Sequence, residues 1–227
     1  MRAKIFEDRA LRNKRGVFRD RVEAGSMLGL MLSTAYKNAH DSIVLAIPAG
    51  GAPVGLEIRR QLNIPLDLII VRKIPIPGNP ETGFGAVALE GSVYLNQEIL
   101  SRLLLTRSQI EGHIALVRKD LENRNLRLRD GRPFPDLTGK TVILVDDGLA
   151  SGYTMMASIH MVRDKGARKI AVAVPTAPLR SIETIESLVE EIYCANVRVV
   201  SSFAVAEAYK YWYDLCLEEV LELLHEL

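Results

Sequence analysis

One stretch constrains this chain more than any other: residues 141–156, TVILVDDGLASGYTMM. Val142, Ile143, Leu144 and Val145 form a continuous apolar run bounded by polar residues. Such a run suits a strand covered on both faces, as in a parallel sheet. Asp146 and Asp147 follow at its carboxyl end, where open α/β sheets place their ligands. The segment GLASGYT is short, small and hydroxyl-bearing, and a helix is predicted to start near Tyr153 or Thr154.

That order suits a phosphorylated sugar. Backbone N–H groups at a helix start favour an anion, and Gly152 lets the backbone come close. Ser151 and Thr154 add hydroxyl donors, while the two carboxylates suit ribose hydroxyls or the water shell of Mg²⁺. The alternative is a plain buried strand that turns at Asp147-Gly148. Against it stands the doublet, because adjacent carboxylates raise one another's pKa unless a cation compensates.

The rest of the chain alternates strand-like and helix-like segments. Residues 1–19 are charged and irregular, and residues 20–39 carry apolar residues near helical spacing. A first buried strand is expected over 43–47, then Gly50-Gly51 and an amphipathic helix, VGLEIRRQL. Gly50-Gly51 leaves amides free to face an anion, though it is also ordinary turn chemistry. A second parallel strand over 66–71 would carry Arg72 and Lys73 at its ligand end. Residues 74–92, with three prolines and four glycines, read as a lid or binding loop that could hold a short hairpin over 85–89 and 93–95. Helices are expected over 97–104 and from Thr106, whose pairing with Gln109 makes a capping box, to about Leu128. After the central strand and its helix, Gly166 is a carboxyl-terminal cap. Another strand spans 170–174, a helix 181–189, and short strands lie near Ile192 and Val199. The last residues, EAYKYWYDLCLEEVLELLHEL, read as helix with Leu217, Val220, Leu221 and Leu224 facing a core.

Composition excludes several classes. A net charge of +1 asks for neither nucleic acid nor an anionic membrane. The basic cluster over 118–132 is interspersed with Asp120, Glu122 and Asp130, which favours a solvated helix face over a nucleic-acid patch. The two cysteines, Cys194 and Cys216, make no framework, and the four histidines are scattered without metal-ligand spacing. No apolar run has membrane-spanning length and the first residues lack a signal-peptide core, so the expectation is a cytoplasmic protein. With 227 residues and no repeat or linker, one α/β domain over 1–227 is the simplest account.

ILVDDGLASGYTM closely resembles the phosphoribosyl pyrophosphate (PRPP) signature of the type I phosphoribosyltransferase family. PAGGAPVG resembles that family's pyrophosphate loop, and VRK the basic pair of its adenine and orotate branches. FRDRVEAG and GNPETGFGAV add to the likeness, which points to a prokaryotic subgroup of unnamed acceptor. The resemblance implies an α/β fold, a twisted and mainly parallel sheet flanked by helices. The core would span about 40–180, with a hood from about 1–30 and 180–227. It implies a Mg²⁺-dependent transfer of 5-phosphoribosyl from PRPP to a nitrogenous acceptor, releasing pyrophosphate. Asp146 and Asp147 would hold the ribose hydroxyls and metal-bound water. Ala150, Ser151, Gly152, Tyr153 and Thr154 would take the 5-phosphate. Gly50, Gly51, Arg72 and Lys73 would meet pyrophosphate, and residues 74–92 would close over the reacting centre. The implied partners are PRPP and a small-molecule acceptor in a homodimer, without nucleic acid or membrane. Ala49 departs from the family's usual Arg, and Tyr153 is bulky where a small residue or Lys is common. Ala150 replaces the acid of the hypoxanthine-guanine branch, which argues against a 6-oxopurine acceptor. Phe203, Tyr209, Tyr211 and Trp212 offer stacking faces for that acceptor, or core packing. A non-catalytic PRPP- or nucleotide-sensing regulator is the alternative function.

Overall fold

The computed structural model describes residues 2–89 and 91–224. At its centre β7 (Thr141–Val145) is buried along its whole length. Val142 and Leu144 enter one core, Ile143 and Val145 the opposite one. Each fully buried aliphatic side chain contributes about 1.5–3 kcal/mol, and two-sided burial is what a parallel strand supplies. On one side β7 pairs with β2 (Ser42–Ala46), and β2 with β3 (Leu66–Leu68). On the other follow β8 (Lys169–Pro178), β9 (Glu191–Arg198) and β1 (Lys4–Phe6). The six strands, in the order β1-β9-β8-β7-β2-β3, are all parallel. This bears out the expected α/β architecture.

Helices α1 (Arg21–Tyr36) and α2 (Gly51–Leu62) supply one core, with Leu28, Leu32, Val54 and Ile58 lying among Val44, Ile143 and Ala171. The other face is covered by α5 (Tyr153–Asp164) and α6 (Leu179–Ile185). A second sheet, β4 (Val71–Ile76), β5 (Asn79–Ala88) and β6 (Val93–Leu95), is antiparallel. With α3 (Gln97–Arg102), α4 (Arg107–Arg129) and α7 (Leu217–Leu224) it encloses a third core around Leu68, Phe84, Leu121 and Val220.

Several expectations are corrected. Residues 1–19 are not wholly irregular, since Lys4, Ile5 and Phe6 pair with β9, and Phe6 stacks on Tyr193 at 4.3 Å. The main sheet thus reaches beyond 40–180 at both ends. The strand expected over 66–71 is two elements. β3 ends at Leu68, and Arg72 and Lys73 lie within antiparallel β4, not at the end of a parallel strand. Residues 74–92 are mostly strand, and the expected hairpin pairs Gly85 with Leu95 and Val87 with Val93. The strand over 170–174 runs on to Pro178, the helix over 181–189 is α6, and the strands near Ile192 and Val199 are one strand, β9. The helical reading of residues 207–227 holds only from Leu217; a 3-10 turn (Val205–Ala208) and an irregular strap precede it, and residues 225–227 lie outside the described residues. The strap cannot coil because its backbone is bonded elsewhere: Lys210 N–H donates to Phe18 O and Tyr211 N–H to Arg19 O. The capping box at Thr106 and the positive φ of Gly166, +83°, are as expected.

The basic cluster is only partly a solvated face. Arg129 is buried and forms a two-pronged pair with Asp67, Nε to Oδ1 at 3.0 Å and Nη2 to Oδ2 at 2.8 Å. It fastens α4 to the edge strand β3.

Candidate active site

β2 and β7 run in register, Ala46 beside Val145, so their carboxyl ends finish level and their loops meet. Ile47 N–H donates to Val145 O at 2.8 Å and continues the pairing by one residue. The peptide bond between Pro48 and Ala49 is cis. Gly50 then sits directly on the Asp147 carboxylate: a Cβ there would lie 1.9 Å from Oδ2. No side chain fits. Gly51 is pressed against Val145 O and the Asp146 Cα in the same way.

Asp146 and Asp147 are partly buried. Asp146 Oδ1 accepts the Asp147 N–H at 2.9 Å. Burial, and then the neighbouring Asp147 charge, push the Asp146 carboxyl well above the usual carboxylate range. Burial also raises Asp147, opposed by a cation that sequence reasoning missed. That cation is Arg21, the first residue of α1, whose Nε donates to Asp147 Oδ2 at 2.8 Å. Their side chains are only 9% and 14% exposed, so solvent screens the pair little. Tyr209 donates its hydroxyl to Asp147 O at 2.6 Å. One signal for Arg21 was present: it lies in phase with the buried stripe of α1, Ala24, Leu28 and Leu32, where an apolar residue belongs.

After the doublet, Leu149 N–H is fixed to Thr176 O at 2.9 Å, and Ser181 donates its hydroxyl to Ala150 O. Gly152, with φ +84°, turns the chain into α5. The N–H groups of Ala150, Ser151, Gly152, Tyr153 and Thr154 make no hydrogen bond to another described residue. Ala49 and Gly50 N–H are likewise unbonded among the described residues. Two groups of amides thus flank one pair of carboxylates, an arrangement that holds an anion at each end of a polyol.

The remaining predicted residues lie elsewhere. Arg72 pairs with Asp120 at 2.8 Å and is half exposed. Lys73 runs under Gly83, whose Cβ would meet its Cγ at 2.3 Å. Of the four proposed stacking faces, Tyr209 is buried between Phe18 and Trp212, while Tyr211 is exposed. Trp212 covers Arg21 with the guanidinium carbon 3.9 Å from its ring centre. Phe203 lines a cavity of about 330 Å³ with Ala150, Ser151, Arg180, Ser181 and Thr184. No group of three or more acidic, His or Cys side chains suited to a metal occurs among the described residues. No described helix is long and apolar enough to cross a membrane.

The family model described as Phosphoribosyl transferase domain matches residues 29–212. A putative phosphoribosyl transferase of Mycobacterium tuberculosis, Rv0571c, is 33% identical over 211 residues, covering 92% of this chain and 46% of its own length. The chain therefore spans about half the length of the curated relatives it matches. The crystal structure of TT1426 from Thermus thermophilus is 34% identical with a TM-score of 0.77, covering 92% of this chain and 98% of that one. AQ2163 from Aquifex aeolicus, 16% identical over 83% of this chain and 78% of its own with a TM-score of 0.50, shares the fold. Together with the doubly flanked acidic pair at the end of β7, these matches place the chain in the type I phosphoribosyltransferase family.

Proposed function

We propose that the chain transfers 5-phosphoribosyl from PRPP to a nitrogenous acceptor and releases pyrophosphate. One observation carries this reading: Asp147 lies against Gly50 on one side and continues into the unbonded amides of residues 150–154 on the other. Those amides, with the hydroxyls of Ser151 and Thr154, take the 5-phosphate. Asp146 and Asp147 accept hydrogen bonds from the ribose hydroxyls. The N–H groups of Ala49 and Gly50 receive the pyrophosphate, with Arg72 and Lys73 reaching it when the β4–β5 hairpin closes.

Two carboxylates without a third ligand suit Mg²⁺, which keeps most of its water and binds through one or two carboxylates together with substrate phosphates. Asp146 and Asp147 would hold it, and it would supply charge neutralisation for the leaving pyrophosphate. The reaction breaks the bond from C1 to the pyrophosphate oxygen and forms one from C1 to the acceptor nitrogen, which loses its proton. Its transition state is a cation-like sugar, so the protein contributes positioning and donors for the departing charge. A closed hairpin keeps water from capturing that sugar. The described chain works as one domain in a homodimer, the strap and α7 serving as the hood.

The acceptor is a nitrogenous base or amine, and PRPP with Mg²⁺ and a panel of such compounds should release pyrophosphate. Failure of PRPP to bind in calorimetry with Mg²⁺ present would overturn the proposal. Ala49 favours a second reading, PRPP sensing without turnover, because it is packed against the third core instead of offering a cation. Tight PRPP binding with no pyrophosphate released from any acceptor would select it.

A further inference from the structure

We infer that Arg21 is a positioning residue for the Asp147 carboxylate and couples occupation of the ribose site to the strap that carries Trp212. This rests on the PRPP reading above and adds a residue and a linkage to it.

Arg21 is in the wrong place for a helix-stabilising cation. It is the first residue of α1, where the helix dipole is positive and an arginine is disfavoured. Nor does packing require it, since the stripe it continues is apolar. What compensates the buried charge lies outside the helix. Nε meets Asp147 Oδ2 at 2.8 Å, Nη1 meets Tyr213 O at 2.9 Å, and the guanidinium carbon lies 3.9 Å from the Trp212 ring centre. A cation over an indole face, bonded to a carboxylate with little exposure, is held in one orientation. Asp147 is therefore gripped from three directions: Gly50 against its carboxylate, Arg21 on Oδ2 and Tyr209 on its carbonyl.

The linkage follows from who shares these partners. Tyr209, Trp212 and Tyr213 all belong to the strap, and all three touch Asp147 or the cation bonded to it. A ligand that draws on the Asp147 carboxylate changes what Arg21 shares with the strap, and strap order in turn changes ligand affinity by the same factor. Trp212 is the single tryptophan of the chain. Its emission is a direct report of the guanidinium over its face.

The test compares wild type, Arg21→Met and Arg21→Lys by calorimetry with PRPP and Mg²⁺, and by Trp212 emission during the same titration. PRPP should change the emission of the wild type in proportion to occupancy. Arg21→Met should weaken PRPP binding by at least roughly tenfold at unchanged stoichiometry, the loss expected for one charge-assisted contact. The emission change should disappear with it. Arg21→Lys, which keeps the charge but not the planar stack, should recover part of the affinity and little of the optical signal. It also serves if Arg21→Met does not fold. Reduced stoichiometry at wild-type affinity would mark Arg21 as merely structural and overturn the proposal. So would a wild-type emission that ignores saturating PRPP. A wild-type chain that binds no PRPP would instead sink the ribose-phosphate reading, and this coupling with it.

Discussion

Among the described residues, two arginine–aspartate pairs have a buried guanidinium, and they are built differently. Arg129 spends every donor group: both prongs on Asp67, Nη1 on Asn125 Oδ1 at 3.3 Å and Arg132 O at 3.1 Å, and Nη2 also on Pro133 O at 3.0 Å. Arg21 gives Asp147 a single bond, and its partner is flanked by unbonded amides. A satisfied pair is a fastening, and nothing more can be added to it. A pair that leaves capacity beside it is suited to a ligand, because buried polar groups are otherwise matched.

That contrast can be broken in four ways, taken from the largest expected effect to the smallest. Asp146→Asn with Asp147→Asn should abolish PRPP binding in calorimetry while the chain stays folded by circular dichroism, because an amide oxygen at position 147 can still accept from Arg21 Nε. Retained tight binding would strip the doublet of its role. Arg129→Met should cost about 3 kcal/mol in urea denaturation, the low end for a broken buried pair because Asp67 is a quarter exposed. PRPP affinity should hardly move. If it collapsed, the two pairs would not be independent. Tyr209→Phe should cost about 1 kcal/mol of stability for one hydrogen bond, with a few-fold loss of PRPP affinity on the same titration. The mildest test is chemical. Cys194 is buried, which pushes its thiol up to about 12, whereas Cys216 is exposed. A thiol reagent at neutral pH should therefore modify Cys216 alone in the folded chain. Slow labelling of Cys194 then measures global opening, and Arg129→Met should speed it.

How much could be read without a structure depends on how local the cause is. β7 and its acidic turn were legible because burial on both faces leaves an unbroken apolar run, and a carboxylate doublet has few structural uses. Gly83 misled for a physical reason. A glycine reads as loop, yet here it belongs to β5, where a Cβ would lie 3.0 Å from Ile74 O. Close strand approach and a flexible turn ask for the same residue. Arg72 and Lys73 were placed by assuming that an apolar run is one strand, but the chain leaves the main sheet at Leu68 and changes partner. The strap was hidden for another reason. Its residues have helical composition, and bonds to residues far away in the chain, Phe18, Arg19 and Arg21 among them, keep them extended. Arg21 depends on the same long-range meeting, so of the site's side chains it was the hardest to see.

The pairing of β1 with β9 sets the order in which the sheet can be finished. Lys4 lies beside Glu191, so β1 has no sheet partner until β9, far along the chain, has also been made. Contacts of such sequence separation form late, because a long loop must close before they are rewarded. One edge of the sheet, β1, thus waits for a distant stretch of chain before it finds its seat.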